Sequence, residues 1–149
     1  MKTLIMLLAF GLISINSVAE PLDKDAPEYK QLEAMGYDIE PVSPGDETTI
    51  AKSSGSKVSI GKSGDSLYVG RYFIRSKKNL SDADKLKFLS IINDINSDYR
   101  YQISLGSTFL TVALFYNGPY NNKVFANMMR QIDMANFIFD KYPELGKYL

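Results

Sequence analysis

The chain contains no histidine and no cysteine, which leaves carboxylates, ammonium groups, hydroxyls and phenols to do any chemistry. The imidazole base that works near neutral pH, the thiolate nucleophile and most zinc ligand sets are therefore absent, and a Ser-His-Asp arrangement cannot be assembled. Carboxylates alone can still hydrolyse a substrate: glycosidases hold two of them several ångströms apart across a cleft. The acids open to that role are Asp82, Asp84, Asp94 and Asp98, all on one expected helix, and Asp46-Glu47 in an expected loop. Dipole compensation and solvation already account for the helical four, and Asp46-Glu47 lacks the spaced oxygen ligands of a calcium loop. Gly61-Lys62-Ser63 has the closing residues of a phosphate loop. Position 56, where its first glycine belongs, is Ser, and a strand rather than a helix follows. The sequence thus designates no catalytic, cofactor-binding or metal-ligating residues, and a carboxylate-dependent hydrolase is the alternative to a non-enzymatic binding protein.

The residues that could recognise a partner are apolar. In the last third of the chain Phe125, Met129, Met134, Phe137 and Ile138 stand beside the main stripe of a helix. Met and aromatic side chains adapt to irregular surfaces, so Phe125, Met129, Phe137 and Ile138 form the candidate surface for a protein partner or for self-association. The competing assignment is a wide, core-facing helix.

The elements that would position these residues follow from punctuation and periodicity. Asp25-Ala-Pro-Glu28 has the grammar of a helix start, with Asp25 as cap; Tyr29, Leu32 and Met35 recur at threes, and Gly36 supplies the left-handed stop. Thr48–Ile50, Lys57–Lys62 and Leu67–Ile74 read as three strands separated by Ser/Gly turns, an antiparallel meander. A second helix opens at Ser81, with Phe88, Ile91, Ile92, Ile95 and Tyr99 as its apolar stripe. Arg100–Leu105 and Thr108–Tyr116 flank Gly106-Ser107 as a hairpin. The second of these strands is apolar on both faces, the mark of a central strand. A third helix is expected from about Asn121 to Tyr142, limited by Pro143. The predicted fold is α+β, with a five-stranded antiparallel sheet carrying the second and third helices. Phe88, Ile92, Ile95, Val112, Leu114, Met128, Ile132 and Phe139 are expected in the core.

Residues 1–19 read as a cleavable signal peptide. Lys2 gives a positive start, Leu4–Ile15 an apolar run, and Ser17-Val18-Ala19 the small residues that a signal peptidase reads. The run is shorter than the about 20 residues that cross a bilayer core, so no stable membrane anchor remains after cleavage. Residues 20–27 are then a polar lead-in and 28–149 a single domain, periplasmic or secreted. Residues 1–19 hold one Lys and no acid, so 16 basic residues face 17 acidic ones in the remainder, a net charge of −1. That balance argues against nucleic acid as a partner. A remainder of about 130 residues suffices for one packed core, which without cysteine owes nothing to disulfides.

This order of elements resembles the YbjN domain, whose fold is similar to that of type III secretion chaperones. The resemblance is carried by Leu32-Glu-Ala-Met-Gly-Tyr-Asp-Ile39, Leu67-Tyr-Val-Gly-Arg-Tyr-Phe73 and Ile91-Ile-Asn-Asp-Ile-Asn96, with the hairpin and the Phe-rich last helix in the matching places. It extends from about Glu28 to Leu145 and includes no catalytic signature. It implies the α+β fold above and an apolar groove or paired surface for a partner polypeptide. It also implies a tie to regulation and stress behaviour without a defined chemistry. Secretion chaperones work in the cytoplasm, a setting from which the signal peptide departs. Intact-mass measurement on the protein purified from expressing cells should find a chain beginning at Glu20; a full-length mass would overturn the export expectation.

Overall fold

The structure, a computed structural model, describes residues 19–75, 80–98, 100–106 and 108–149. They run in the order α1 (Pro27–Ala34), β1 (Asp38–Ile39), β2 (Thr49–Ser53), β3 (Ser56–Ser63), β4 (Ser66–Ile74), α2 (Asp82–Asp98), β5 (Gln102–Leu105), β6 (Phe109–Asn117), α3 (Asn122–Asp133), a 3-10 turn (Met134–Asn136), α4 (Phe137–Lys141) and a closing 3-10 helix (Pro143–Tyr148). Residues 1–18 of the expected signal peptide lie outside the described residues. Among those described, no helix is long and apolar enough to cross a membrane.

The α+β fold is as expected, with a sheet of six antiparallel strands in the order β1-β2-β3-β4-β6-β5. The sixth strand is the two-residue β1, which pairs with β2 through Asp38–Lys52 and Ile39–Ala51. Two tight hairpins build the meander. In the first, Ser54 and Gly55 both have positive φ (32° and 87°), the conformation whose twist matches that of the flanking strands. β6 pairs with β4 along nine residues and with β5 on its other side, so β4 and β5 point the same way and the chain crosses between them through α2. The strand that is apolar on both faces is accordingly interior, and the short, alternating β5 lies at the edge.

The helices cover one face. From the sheet, Val58, Ile60, Leu67, Val69, Leu110, Val112 and Leu114 point into a core completed by Leu32, Phe88, Ile92, Ile95, Met128, Met129 and Ile132. Of the eight core residues expected from sequence, seven are buried; Phe139 is half-buried, with its ring edge-on to Phe73 at 4.8 Å. Two boundaries differ from expectation. α1 begins after Ala26, with Pro27 in its first turn and no side-chain cap; the Asp25 carboxylate lies 3.7 Å from Lys30 Nζ instead, and its amide donates to Asp23 Oδ1 at 2.8 Å. The lead-in is part of the packed domain: Glu20 exchanges two backbone hydrogen bonds with Lys62 (2.8 and 2.9 Å), Leu22 is buried, and its amide donates to Thr49 Oγ1.

The expected continuous last helix breaks at residue 134. Asp133 is the reason. Its carboxylate accepts hydrogen bonds from the hydroxyls of Tyr37 and of Ser56 (2.7 Å for Ser56), and its carbonyl accepts from Arg71 Nη1 at 3.1 Å. A carbonyl drawn toward a buried guanidinium departs from the helical ladder, and a 3-10 turn takes over. Arg75 plays a similar part below, donating to the carbonyls of Tyr148 and Gly106.

One charged pair joins the interior to the surface, the Lys62 side chain being 36% exposed. Glu28 is 2% exposed and its Oε1 accepts from Lys62 Nζ at 2.8 Å. Lys62→Met would strand that carboxylate. Urea unfolding should then show a loss of about 3 kcal/mol, most of it regained in the double variant Glu28→Met/Lys62→Met; a single variant as stable as the parent would show that Glu28 carries no buried charge.

Candidate functional site

The acids singled out by sequence fall in separate places. Asp46 closes a turn, accepting the Ser43 amide at 2.6 Å, and Glu47 is exposed beside it. Asp82 pairs with Lys85 at 2.9 Å. Asp84 accepts the Ser81 hydroxyl at 2.7 Å while its own amide donates to that hydroxyl at 3.1 Å, a reciprocal helix start. Asp84 and Asp94 do come together, with Glu144, around a cleft of about 640 Å³ between α2 and the closing 3-10 helix. Lys87 and Lys147 line the same cleft. Carboxylates matched by ammonium groups on an open surface are a solvated ionic patch, not a dehydrated acid/base pair. The side chain of Asp98 lies outside the described residues.

The apolar candidates on the last helices are not a surface. Phe125, Met129 and Ile138 are buried and Phe137 is half-buried. α3 is sandwiched: the sheet covers one side, and α1 leans on the other, where Gln31 Nε2 donates to the Asn122 carbonyl at 2.8 Å and Tyr120 packs against Phe125. Met134 alone of the apolar surplus is exposed.

The exposed apolar surface is on the opposite side, on the sheet face that the helices leave bare. Antiparallel register puts paired residues on the same face. Tyr68 opposes Phe115, Gly70 opposes Ala113, Tyr72 opposes Thr111 and Ile74 opposes Phe109, all pointing away from the core. Four of these are large and open to solvent: Tyr72 and Phe115 are each 47% exposed, Phe109 43% and Ile74 77%. The rings meet in pairs across the two strands, Tyr68 with Phe115 at 5.3 Å and Tyr72 with Phe109 at 5.9 Å, separations at which aromatic pairs attract. Tyr68 Oη donates to Tyr72 Oη at 3.0 Å, linking one pair to the other. Glycine makes this possible: a Cβ on Gly70 would overlap the Tyr68 ring, which lies across it. Gly61 is close-packed but less so, with Ala19 and Thr48 each 3.1 Å from where its Cβ would stand. A groove of about 500 Å³ runs across the face, lined by Tyr68, Tyr72, Thr111, Phe115 and Gln102 and bounded by Ala19 at one end.

Sequence reasoning missed this face, although its signal was present. Tyr68, Tyr72 and Ile74 alternate with core residues along β4, and Phe109 to Tyr116 is apolar on both sides. Apolarity on both sides marks β6 as interior to the sheet, and it is; only one of its two faces is covered by helices.

The fold of this chain is similar to that of YbjN from E. coli, a protein described as a candidate transcription regulator. The two structures match with a TM-score of 0.54 at 11% identity, over 76% of this chain and 89% of that one, a likeness that shows the fold. No family model matches the chain, and no curated protein sequence matches it.

Burial, followed by the hydrogen bond with Tyr72, raises the Tyr68 phenol well above its usual range. Burial, then the Asp133 carboxylate, does the same to Tyr37. A raised folded-state value means that the folded chain holds the proton longer than the unfolded one. The associated stability is complete below the ordinary phenol value of about 10 and is lost as pH rises beyond it. Thermal melts taken from pH 9 upward should therefore fall in midpoint, and Tyr37→Phe should flatten the slope; a slope unchanged by the substitution would refute the assignment.

Proposed function

We propose that the protein is an exported, non-enzymatic binding protein that acts by holding a polypeptide surface against the bare face of its sheet. The observation that carries this reading is the contiguous strip of Tyr72, Ile74, Phe109 and Phe115, all exposed and joined through the half-buried Tyr68 across two paired strands. Monomeric proteins do not leave contiguous apolar patches of this kind bare without a use for them, and Tyr and Phe are enriched where proteins meet. The description of YbjN as a candidate transcription regulator supports a role in regulation by contact rather than in turnover. Phosphate backbones call for lysine and arginine, and no basic residue stands at an outward position of β4, β5 or β6. A polypeptide fits the strip better. Export rests on the sequence of residues 1–19, with removal from the cytoplasm placing the contact in the periplasm or outside the cell.

Site-specific photo-crosslinking in living cells tests the reading. A photoreactive residue at Phe115 or Tyr72 should give polypeptide adducts, recovered in the fraction released by osmotic shock or in the medium. The same residue at Leu86, an exposed apolar position on α2, should give none. Adducts confined to Leu86, or to the cytoplasmic fraction, would overturn the surface or the location respectively.

A further inference from the structure

We infer that the occupant of the bare face is a second copy of this chain, packed sheet against sheet about a twofold axis. The inference rests on the preceding reading that this face is the binding surface. It is carried first by charge. The outward positions are Ser59, Gly61 and Ser63 on β3, Ser66, Tyr68, Gly70, Tyr72 and Ile74 on β4, Phe109, Thr111, Ala113, Phe115 and Asn117 on β6, and Gln102 and Ser104 on β5. None is charged. A twofold axis lays a patch on itself, so any charge near the axis would meet its own sign; a face without charge is the one kind that pays no such repulsion. Charge enters only at the rims: Glu47 lines the groove beside Gly61, and at the far end Lys52 and Lys57 of β2 and β3 flank Glu40, Lys57 at 3.2 Å, with Asp38 opposite Lys52. The two lysines are balanced within one chain by Asp38 and Glu40.

Relief and twist agree with the same occupant. The two aromatic pairs form a ridge along β4 and β6; the small Ser104 lies on its β5 side, while on the β3 side Ser59 is buried and Gly61 is covered by Ala19 and Thr48. A ridge with low ground on its β5 side is complementary to itself when the twofold axis sets each ridge over the other copy's β5 side. Two sheets of the same twist pack face to face with their strands about 30° apart, and identical sheets satisfy that condition.

Because the chain has no cysteine, single introduced thiols report without background. Sedimentation equilibrium of the purified full chain should show a dimer, and Phe115→Glu should weaken the association by roughly 30-fold or more, the effect of losing a central anchor. The far-UV circular dichroism spectrum of the variant should match that of the parent, and its melting midpoint should lose the parent's dependence on protein concentration. Under mild oxidation Thr111→Cys should form an interchain disulfide, and Leu86→Cys should not. A monomer at every concentration overturns the second copy, as does a dimer that survives Phe115→Glu or crosslinks through residue 86 instead. In the monomer case, photo-adducts to another polypeptide at residue 115 would leave the binding surface standing; no adducts there would remove both.

Discussion

Everything in this molecule depends on the pairing of β4 with β6. It is the longest ladder in the sheet, and its period of two sorts side chains into a buried set and an open set with no intermediate choice. Leu67, Val69 and Arg71 on one strand, Leu110, Val112 and Leu114 on the other, are forced inward by the same register that forces Tyr68, Tyr72, Phe109 and Phe115 outward. A one-residue slip would bury phenols against α3 and expose the core. Arg71 and Arg75 hold the register, since each sits at an inward position of β4 or just beyond it and reaches a backbone carbonyl of a distant element.

Those inward polar groups also explain how the last third of the chain is shaped. Asp133 receives hydrogen bonds from the segment after α1, from the β2–β3 hairpin and from β4, so three separate stretches of sequence converge at the point where α3 stops. The 3-10 turn at Met134–Asn136 then redirects α4, and the closing helix brings Leu145 and Tyr148 onto Phe88 and the underside of the sheet. Buried polar groups satisfied by partners far apart in sequence favour one arrangement over its near competitors.

What could be read in advance was whatever local periodicity controls. The Gly36 stop, the Ser/Gly hairpins, the apolar stripe of α2 and the interior place of β6 all follow from residues within a few positions of one another. The break at residue 134 does not, because Val124, Met128, Ile132, Ala135 and Phe139 keep helical spacing straight through it; the cause is a guanidinium from β4. The burial of Phe125, Met129 and Ile138 was hidden for a similar reason. A single stripe has room for one covering layer, and here α1 supplies a second from nearly a hundred residues away. On the sheet, apolar residues on both sides of β6 marked its interior place, but not that one of its faces stays open. For the candidate site, residue types were plain from the outset, but which side of each element stays wet is decided by packing between elements.

The tie between Arg75 and the carbonyl of Tyr148 has a bearing on timing. Tyr148 and Leu145 are core residues, so a nascent chain that has emerged only as far as β6 already has its principal ladder but still lacks the layer beneath α2. Until residues 143–148 appear, Phe88 has no aromatic neighbour at Tyr148 and the Arg75 guanidinium has no terminal carbonyl to hold. The core under α2 is therefore complete only once residues 143–148 are in place, however early the β4–β6 ladder forms.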